Sequence, residues 1–170
     1  MPYKPLQLDH VNIYVRNVEC SHQWYTEVLG LHTYDTLTSP TTGRIRAAFL
    51  TADLEHAHDI ALMEVGDDAA GPQKGQVGLN HFAWKMGSLE DLKEMYHRLK
   101  EKGVAIRQVS DHGVSIGVYF QDPDGNGMEV YYELPRSQWH RDRPFSGEGQ
   151  KGLFPGPWDE LLRQEGTASR

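Results

Sequence analysis

The sequence predicts an α+β protein that contains two βαβββ units. Two strand-like segments, Leu8–Val15 and Leu79–Met86, resemble each other at an offset of 71 residues, and each has a histidine at its third position. Each segment is followed by a helix candidate and then by three more strand candidates. Because neither half alone could bury both faces of its sheet, the halves are predicted to be parts of one domain.

In the first half, a helix is predicted over about Val18–Leu29. Its apolar residues lie on one stripe, and Gly30 is suited to end it. The first strand comes before this helix, within Leu8–Val15. Three further strands are expected after it, at about His32–Leu37, Arg44–Thr51 and His58–Val65.

In the second half, the helix is expected to begin after Ser88, a favourable N-cap, with Asp91 three residues later. Apolar residues recur at helical spacing as far as Leu99, and Gly103 ends the helix. Residues 66–77, between the halves, are rich in Gly, Asp and Ala and are predicted to form a surface loop. Strands are expected at about Ala105–Val109, Ser115–Gln121 and Gly127–Tyr132.

The pattern stops after residue 134. We therefore predict one module over residues 1–134, with repeats at about 7–65 and 78–134, and a C-terminal extension over 135–170. The extension is polar and rich in Gly and Pro as far as residue 156, and a short helix is expected near Trp158–Gln164. It could cover a site or contact a second subunit, and the sequence does not decide between these roles.

The composition excludes several classes of function. The single cysteine, Cys20, excludes an internal disulfide and a cysteine-based zinc site. The net charge of −7 argues against nucleic acid or an anionic membrane as a partner. No segment approaches the ~20 apolar residues of a membrane span, and the N-terminus lacks the apolar run of a signal peptide, so a cytoplasmic location is expected.

Three residues suggest a metal site. His10 and His81 occupy equivalent places in the two repeats, and a pseudo-twofold pairing of the halves would bring them face to face. Glu129 has apolar neighbours in sequence, and a buried carboxylate is costly unless it is paired, hydrogen-bonded or bound to a metal. Two imidazoles and one carboxylate form the facial triad that suits Fe(II). Taken singly, a strand histidine is more often half-exposed than a ligand, and a strand glutamate usually faces solvent.

These residues resemble the vicinal oxygen chelate superfamily, which includes glyoxalases, bleomycin resistance proteins and dioxygenases. The stretch from His112 to Glu129, HGVSIGVYFQDPDGNGME, is similar to the extradiol ring-cleavage signature. The similarity covers about residues 7–134 and is closest to single-module type I extradiol dioxygenases of the catechol 2,3-dioxygenase kind. It implies that the two βαβββ units form one module with a curved, partly open mixed sheet around a metal. The matching positions within the stretch are His112, Val118, Tyr119, Asp122, Pro123, Gly125 and Glu129.

The resemblance also implies a division of roles. The metal ligands would be His10, His81 and Glu129. The metal would be Fe(II), and Mn(II) suits the same ligands. His58 and His112 would be acid/base residues outside the ligand set, and Tyr119 would hydrogen-bond a substrate oxygen. His56 is the alternative to His58, because strand alternation places both on the same face.

The activity that the resemblance implies is extradiol cleavage of a catechol-type diol by O₂. The partners would be a small aromatic diol and O₂. Since extradiol enzymes often have a duplicated, larger chain, a homo-oligomer of this single module is expected. Two alternatives stay open: a metal-dependent isomerase, epimerase or lyase of the same superfamily, or a metal-free protein that confers resistance by sequestering a small molecule. The offset of 71 places His58 opposite Glu129, where a four-ligand site would have its other carboxylate, and this weakens the isomerase alternative.

Overall fold

The structure is a computed structural model, and it describes residues 5–139. The predicted helix near Trp158–Gln164 and most of the predicted extension lie outside the described residues. No helix of the described part is long and apolar enough to cross a membrane. In chain order the elements are β1 (Val11–Val15), α1 (Val18–Trp24), a π-helical segment (Tyr25–Leu29), β2 (His32–Thr38), β3 (Ile45–Thr51), β4 (Ile60–Glu64), β5 (Phe82–Lys85), α2 (Leu89–Glu101), β6 (Gln108–Asp111), β7 (Ser115–Gln121), β8 (Gly127–Glu133) and a 3₁₀ turn (Arg136–Gln138).

The first compact unit contains the described residues up to Val77 and the turn Asp122–Gly125. Its four strands form an open sheet in the order β1-β4-β3-β2, in which β1 and β4 are parallel and the other pairs are antiparallel. Apolar side chains such as Val15, Leu50 and Leu62 are fully buried in this unit. The predicted loop over residues 66–77 contains neither helix nor strand.

The second compact unit contains Gly78–Gln121 and the described residues from Asn126 onward. Its open sheet has the order β5-β8-β7-β6, with β5 parallel to β8 and the other pairs antiparallel. The predicted N-cap is confirmed, because the Ser88 hydroxyl accepts a hydrogen bond from the Asp91 amide. Two four-stranded mixed sheets with helices confirm the predicted α+β class with two βαβββ units.

The first predicted helix is divided into α1 and the π-helical segment. Asn17 caps α1 by accepting a hydrogen bond from the Cys20 amide. The Thr26 hydroxyl donates to the carbonyl oxygens of His22 and Gln23, and such side-chain bonds compete with the regular helix ladder and often bend it. Gly30 adopts φ 77°, and its amide donates to the Tyr25 carbonyl. The helix therefore widens before it ends.

The two repeat-related histidines lie just before strands and not within them. The ladder between β1 and β4 begins at Val11, whose amide donates to the Asp59 carbonyl. The Asp59 carboxylate accepts hydrogen bonds from the Ala52 amide and the Thr51 hydroxyl, and it thereby stabilises the turn after β3. His10 and His81 are thus the residues immediately before β1 and β5.

Candidate active site

The sheet of the second unit has one polar face. Residues that pair directly on neighbouring strands point to the same side of the sheet. On the polar face, such residues form rows that cross all four strands, and two of these rows lie next to each other. The apolar neighbours of Glu129, which are Met128 and Val130, point to the opposite face and are buried. The first row consists of Ala83, Glu129, Tyr119 and Gln108, and the second of Lys85, Tyr131, Gly117 and Ser110.

Glu129 is nearly buried on this polar face, with 7% of its surface exposed. Its Oε2 lies 3.3 Å from His81 Nε2. Tyr119, which pairs with Glu129 across β7 and β8, is its other polar neighbour. Glu129 therefore has two polar neighbours, His81 and Tyr119, and both are residues that the sequence singled out.

Tyr119 connects Glu129 to His112. Burial raises the pKa of Tyr119 well above its ordinary value, and the hydrogen bond to Glu129 and the negative charge of that carboxylate add to the effect. The phenol is consequently protonated at neutral pH. His112 Nε2 lies 2.7 Å from the Tyr119 hydroxyl oxygen. The two side chains are therefore within hydrogen-bonding distance of each other.

Asn80 holds the other side of the His81 ring. Asn80 Oδ1 lies 2.6 Å from His81 Nδ1. An amide oxygen has no proton to donate, so His81 Nδ1–H is the donor. The two ring nitrogens of His81 therefore point at different partners, Nδ1 at Asn80 and Nε2 at Glu129.

Two glycines make room for this group. A Cβ at Gly117 would collide with the Glu129 carboxylate and would come within 3.2 Å of Tyr119. A Cβ at Gly127 would collide with the Asn80 carbonyl oxygen and would lie 3.3 Å from His81 Cβ. The carboxylate and the turn before β5 therefore occupy space that side chains at these positions would fill.

In the first unit, the rings of His10 and His58 are in contact at a tilt of 40°. Their ring centroids are 4.5 Å apart, and the His58 ring also meets Phe49 edge-on at 5.3 Å. His56 contacts Asp9 instead, with its Nε2 3.2 Å from Asp9 Oδ1. Of the two alternatives, His58 is therefore the one in contact with His10.

Asp9 contacts two histidines of the first unit. Its carboxylate accepts from His56 and, at the longer distance of 3.5 Å, from His10 Nδ1. These hydrogen bonds, with that from His56 the stronger, lower the pKa of Asp9. In both units, therefore, the residue before the repeat-related histidine is Asp or Asn, and its side-chain oxygen lies beside Nδ1 of that histidine.

The structure brings His81, Glu129, Tyr119 and His112 together in the second unit, and His10 and His58 in the first. Over residues 5–139, no group of three or more His, Cys, Asp and Glu side chains is arranged to hold a metal ion. Within the described part of the second unit, His81 and Glu129 are the candidate metal-binding pair. Asn80 and Gly117 were not predicted from the sequence as residues of the site. The repeated Asx-His pair was a signal for Asn80, whereas no local pattern marks Gly117.

A separate groove of about 710 Å³ lies in the second unit, between the C-terminal half of α2 and the segment that leads into β6. None of the residues predicted for the active site lines it. Its lining residues are Tyr96, Lys100, Gly103, Val104, Ile106, Arg107, Gln108 and Val109.

Comparison with protein families matches residues 7–130 to the Glyoxalase/Bleomycin resistance protein/Dioxygenase superfamily. A solved structure described as a glyoxylase/bleomycin resistance protein/dioxygenase domain from Frankia sp. EAN1pec has the same fold. It superposes with a TM-score of 0.63 at 22% identity and covers 77% of this chain and 100% of its own. These findings confirm the resemblance that the motifs indicate.

Two curated relatives are similar in sequence. A catechol-2,3-dioxygenase from Bacillus subtilis (strain 168) is 34% identical over 142 residues, which are 83% of this chain and 46% of the relative. Biphenyl-2,3-diol 1,2-dioxygenase 3 from Rhodococcus globerulus is 35% identical over 127 residues, which are 73% of this chain and 62% of the relative. The chain thus spans less than two thirds of the length of either relative.

Proposed function

The chain belongs to the Glyoxalase/Bleomycin resistance protein/Dioxygenase superfamily, and from that premise we propose that it is an extradiol ring-cleaving dioxygenase. Its substrate would be a small aromatic compound with two adjacent hydroxyl groups. The overall reaction adds both atoms of O₂ and breaks the ring bond next to the hydroxyls, so no external reductant is needed. The product is a ring-opened semialdehyde or ketone acid.

The observation that supports this proposal most is the hydrogen-bonded group on the polar face of the second sheet. His112 is within hydrogen-bonding distance of Tyr119, and His81 is within ion-pair distance of Glu129. Tyr119 and Glu129 are paired across β7 and β8. Three of them belong to the stretch that resembles the extradiol signature. A groove that only sequesters a ligand has no need of such a connected set of acid/base groups.

We propose His10, His81 and Glu129 as the metal ligands. His81 Nε2 and Glu129 Oε2 lie 3.3 Å apart, so both atoms could reach one ion. Both atoms are acceptors when the imidazole is neutral, and a cation between them would remove their repulsion. Fe(II), or Mn(II), would supply Lewis acidity that lowers the pKa of the diol hydroxyls and redox chemistry that involves O₂.

His112 and Tyr119 would handle protons at the second unit. The Tyr119 hydroxyl, protonated at neutral pH, can donate to a substrate oxygen when it turns away from Glu129. His112 Nε2 is 2.7 Å from that hydroxyl and can resupply its proton. His58, which contacts His10 in the first unit, is proposed as the second acid/base residue.

The proposal is tested by anaerobic purification with ferrous iron, followed by addition of a catechol and then O₂. We expect iron bound at one ion per chain, O₂ uptake equal to the diol consumed, and a yellow ring-opened product. Iron binding without O₂ uptake across a panel of catechols and biphenyl-diols would favour an isomerase or lyase. Absence of metal binding would favour sequestration.

The variant His112→Ala tests the acid/base role. We expect it to bind iron as the wild type does and to lose roughly 10²–10⁴-fold in kcat, the usual contribution of a general acid–base group. His32→Ala, which removes an exposed histidine of β2, is the matched control. Wild-type turnover in His112→Ala would contradict the assignment.

A further inference from the structure

The tautomer of His81 decides which ring nitrogen can bind a metal. A neutral imidazole carries one N–H, and only the other nitrogen has a lone pair available for an ion. In water a neutral histidine side chain favours the Nε2–H form, which would place a proton on the atom that faces Glu129. A ligand role for His81 through Nε2 therefore requires that something stabilise the opposite form.

Asn80 provides that stabilisation. Its Oδ1 accepts from His81 Nδ1–H at 2.6 Å, a short hydrogen bond. His81 Nε2 is then left with its lone pair, at 3.3 Å from Glu129 Oε2. In the neutral Nδ1–H ring these two atoms are both acceptors, and a cation between them would stabilise the pair.

The backbone around Asn80 is held in place by β8. The Asn80 carbonyl oxygen packs against Gly127 so closely that no side chain fits there. Gly127 is the first residue of β8, two residues before Glu129. Asn80, and with it the His81 ring, is thus positioned by the strand that carries the carboxylate.

The first unit repeats the arrangement in a weaker form. Asp9 lies at the same offset of 71 residues before Asn80, and its Oδ2 is 3.5 Å from His10 Nδ1. The Asp9 carboxylate is shared with His56, whose Nε2 is 3.2 Å from Oδ1. A side-chain oxygen beside Nδ1 therefore occurs at both repeat-related histidines, with the shorter contact at His81.

We propose that Asn80 is a positioning residue that keeps His81 in the Nδ1–H form, so that His81 Nε2 and Glu129 Oε2 form a preassembled pair of metal-binding atoms. This inference rests on the metal role in the proposed function. Partners that orient a ligating histidine typically change metal affinity 10–100-fold when they are removed.

The test uses the full chain, labelled with ¹⁵N-histidine and free of metal. Long-range ¹H–¹⁵N NMR correlations identify the protonated nitrogen of His81, and Mn(II) titration measures affinity. We expect the Nδ1–H form in the wild type and in Asn80→Asp, which keeps an oxygen acceptor. In Asn80→Leu and Asn80→Ala we expect the Nε2–H form to become the major one, Mn(II) affinity to fall about 10–100-fold, and the circular dichroism spectrum to stay unchanged.

Gln76→Leu, which replaces an exposed amide four residues upstream, is the control and should leave both measurements unchanged. Unaltered tautomer populations in Asn80→Leu and Asn80→Ala would overturn the role of Asn80, whether or not the protein binds metal. A wild type that binds neither Mn(II) nor Fe(II) would instead overturn the metal assignment. The two failures are therefore distinguishable.

Discussion

Gly117 leaves the space that the Glu129 carboxylate occupies, although the two residues lie on different strands. Gly117→Ala would place a methyl group on an oxygen of Glu129. The β-sheet backbone is fixed by pairs on both sides of β7, so the carboxylate has to move. We expect Fe(II) or Mn(II) affinity to fall by about tenfold or more, by analogy with the loss of groups that orient ligands, as measured by titration.

The control for Gly117→Ala is Gly78→Ala. An added Cβ at Gly78 meets nothing within 4 Å. This variant should keep wild-type affinity and stability, because it fills no occupied space. If Gly117→Ala bound metal as tightly as Gly78→Ala, the carboxylate would not be a ligand in its observed position.

Residues with a strong motif signal could be predicted from the sequence, whereas the residues that position them could not. Glu129, His112 and Tyr119 belong to one spaced signature and lie together. The contact of His58 with His10, and not of His56, depends on how the chain turns before β4, which periodicity does not describe. The role of Gly117 is a cross-strand steric effect, so no residue near it in sequence indicates it.

The π-helical segment places Tyr25 in the core of the first unit. Tyr25 is fully buried, and its hydroxyl donates to Asp122 Oδ2 at 3.0 Å. Asp122 belongs to the turn Asp122–Gly125, in which Asp124 also accepts from Ser21 and pairs with Arg16. Burial raises the pKa of Tyr25 well above its ordinary value. The shift is increased by the negative charge of Asp122, by the hydrogen bond to Asp122 and by the negative charge of Asp124.

This shift predicts a loss of stability in alkali. Above pH 10, the usual tyrosine pKa, Tyr25 ionises in the unfolded chain and stays protonated in the folded one. The unfolded state then binds fewer protons, so the free energy of unfolding falls with pH, by up to about 1.4 kcal/mol per pH unit for one such group. Tyr25→Phe should reduce this slope when urea unfolding is followed between pH 8 and 11.

At neutral pH, Tyr25→Phe should cost about 1.5–3 kcal/mol, because a hydrogen bond to a charged group is lost in the core. The exposed Tyr34→Phe is the control and should stay within about 0.5 kcal/mol of the wild type at neutral pH. An unchanged alkaline slope in Tyr25→Phe would mean that this phenol does not couple folding to pH.

Most elements were predicted to within a few residues. Periodicity located β7 with the observed bounds and α2 after its Ser88 cap. The division of the first helix was not predicted, because it depends on side-chain bonds from Thr26 and on the geometry at Gly30. The start of β6 was placed three residues too early, since the ladder with β7 begins at Gln108.

For the molecule as a whole, the duplicated pattern was sufficient to predict the fold class. An offset of 71 residues relates strands, helices and histidines, and each half folds into its own four-stranded sheet. The module boundary at residue 134, the role of the extension over 135–170 and the homo-oligomer stay predictions. The role of the extension and the oligomeric state depend on contacts between protein surfaces, and such contacts leave no periodic pattern in a single sequence.

Metal binding should stabilise the whole chain. An ion that binds only the folded state adds about 2.7 kcal/mol to the free energy of unfolding at a concentration of 100 Kd. We expect Mn(II) to raise the urea midpoint of the wild type accordingly. His81→Ala should lose this gain, and His32→Ala should keep it. Equal stabilisation of His81→Ala and the wild type would place the ion elsewhere.

The position of β1 and β5 in their sheets has a kinetic consequence. Within its own sheet each pairs with one neighbour, β4 or β8, and β5 is only four residues long. Short segments with few hydrogen bonds open locally at a lower free energy than the global one. If His81 binds an ion, local opening of β5 would displace this ligand, so the ion would dissociate when β5 opens. The residence time of the ion would then follow local opening, as amide hydrogen exchange reports it, and not the unfolding rate of the chain.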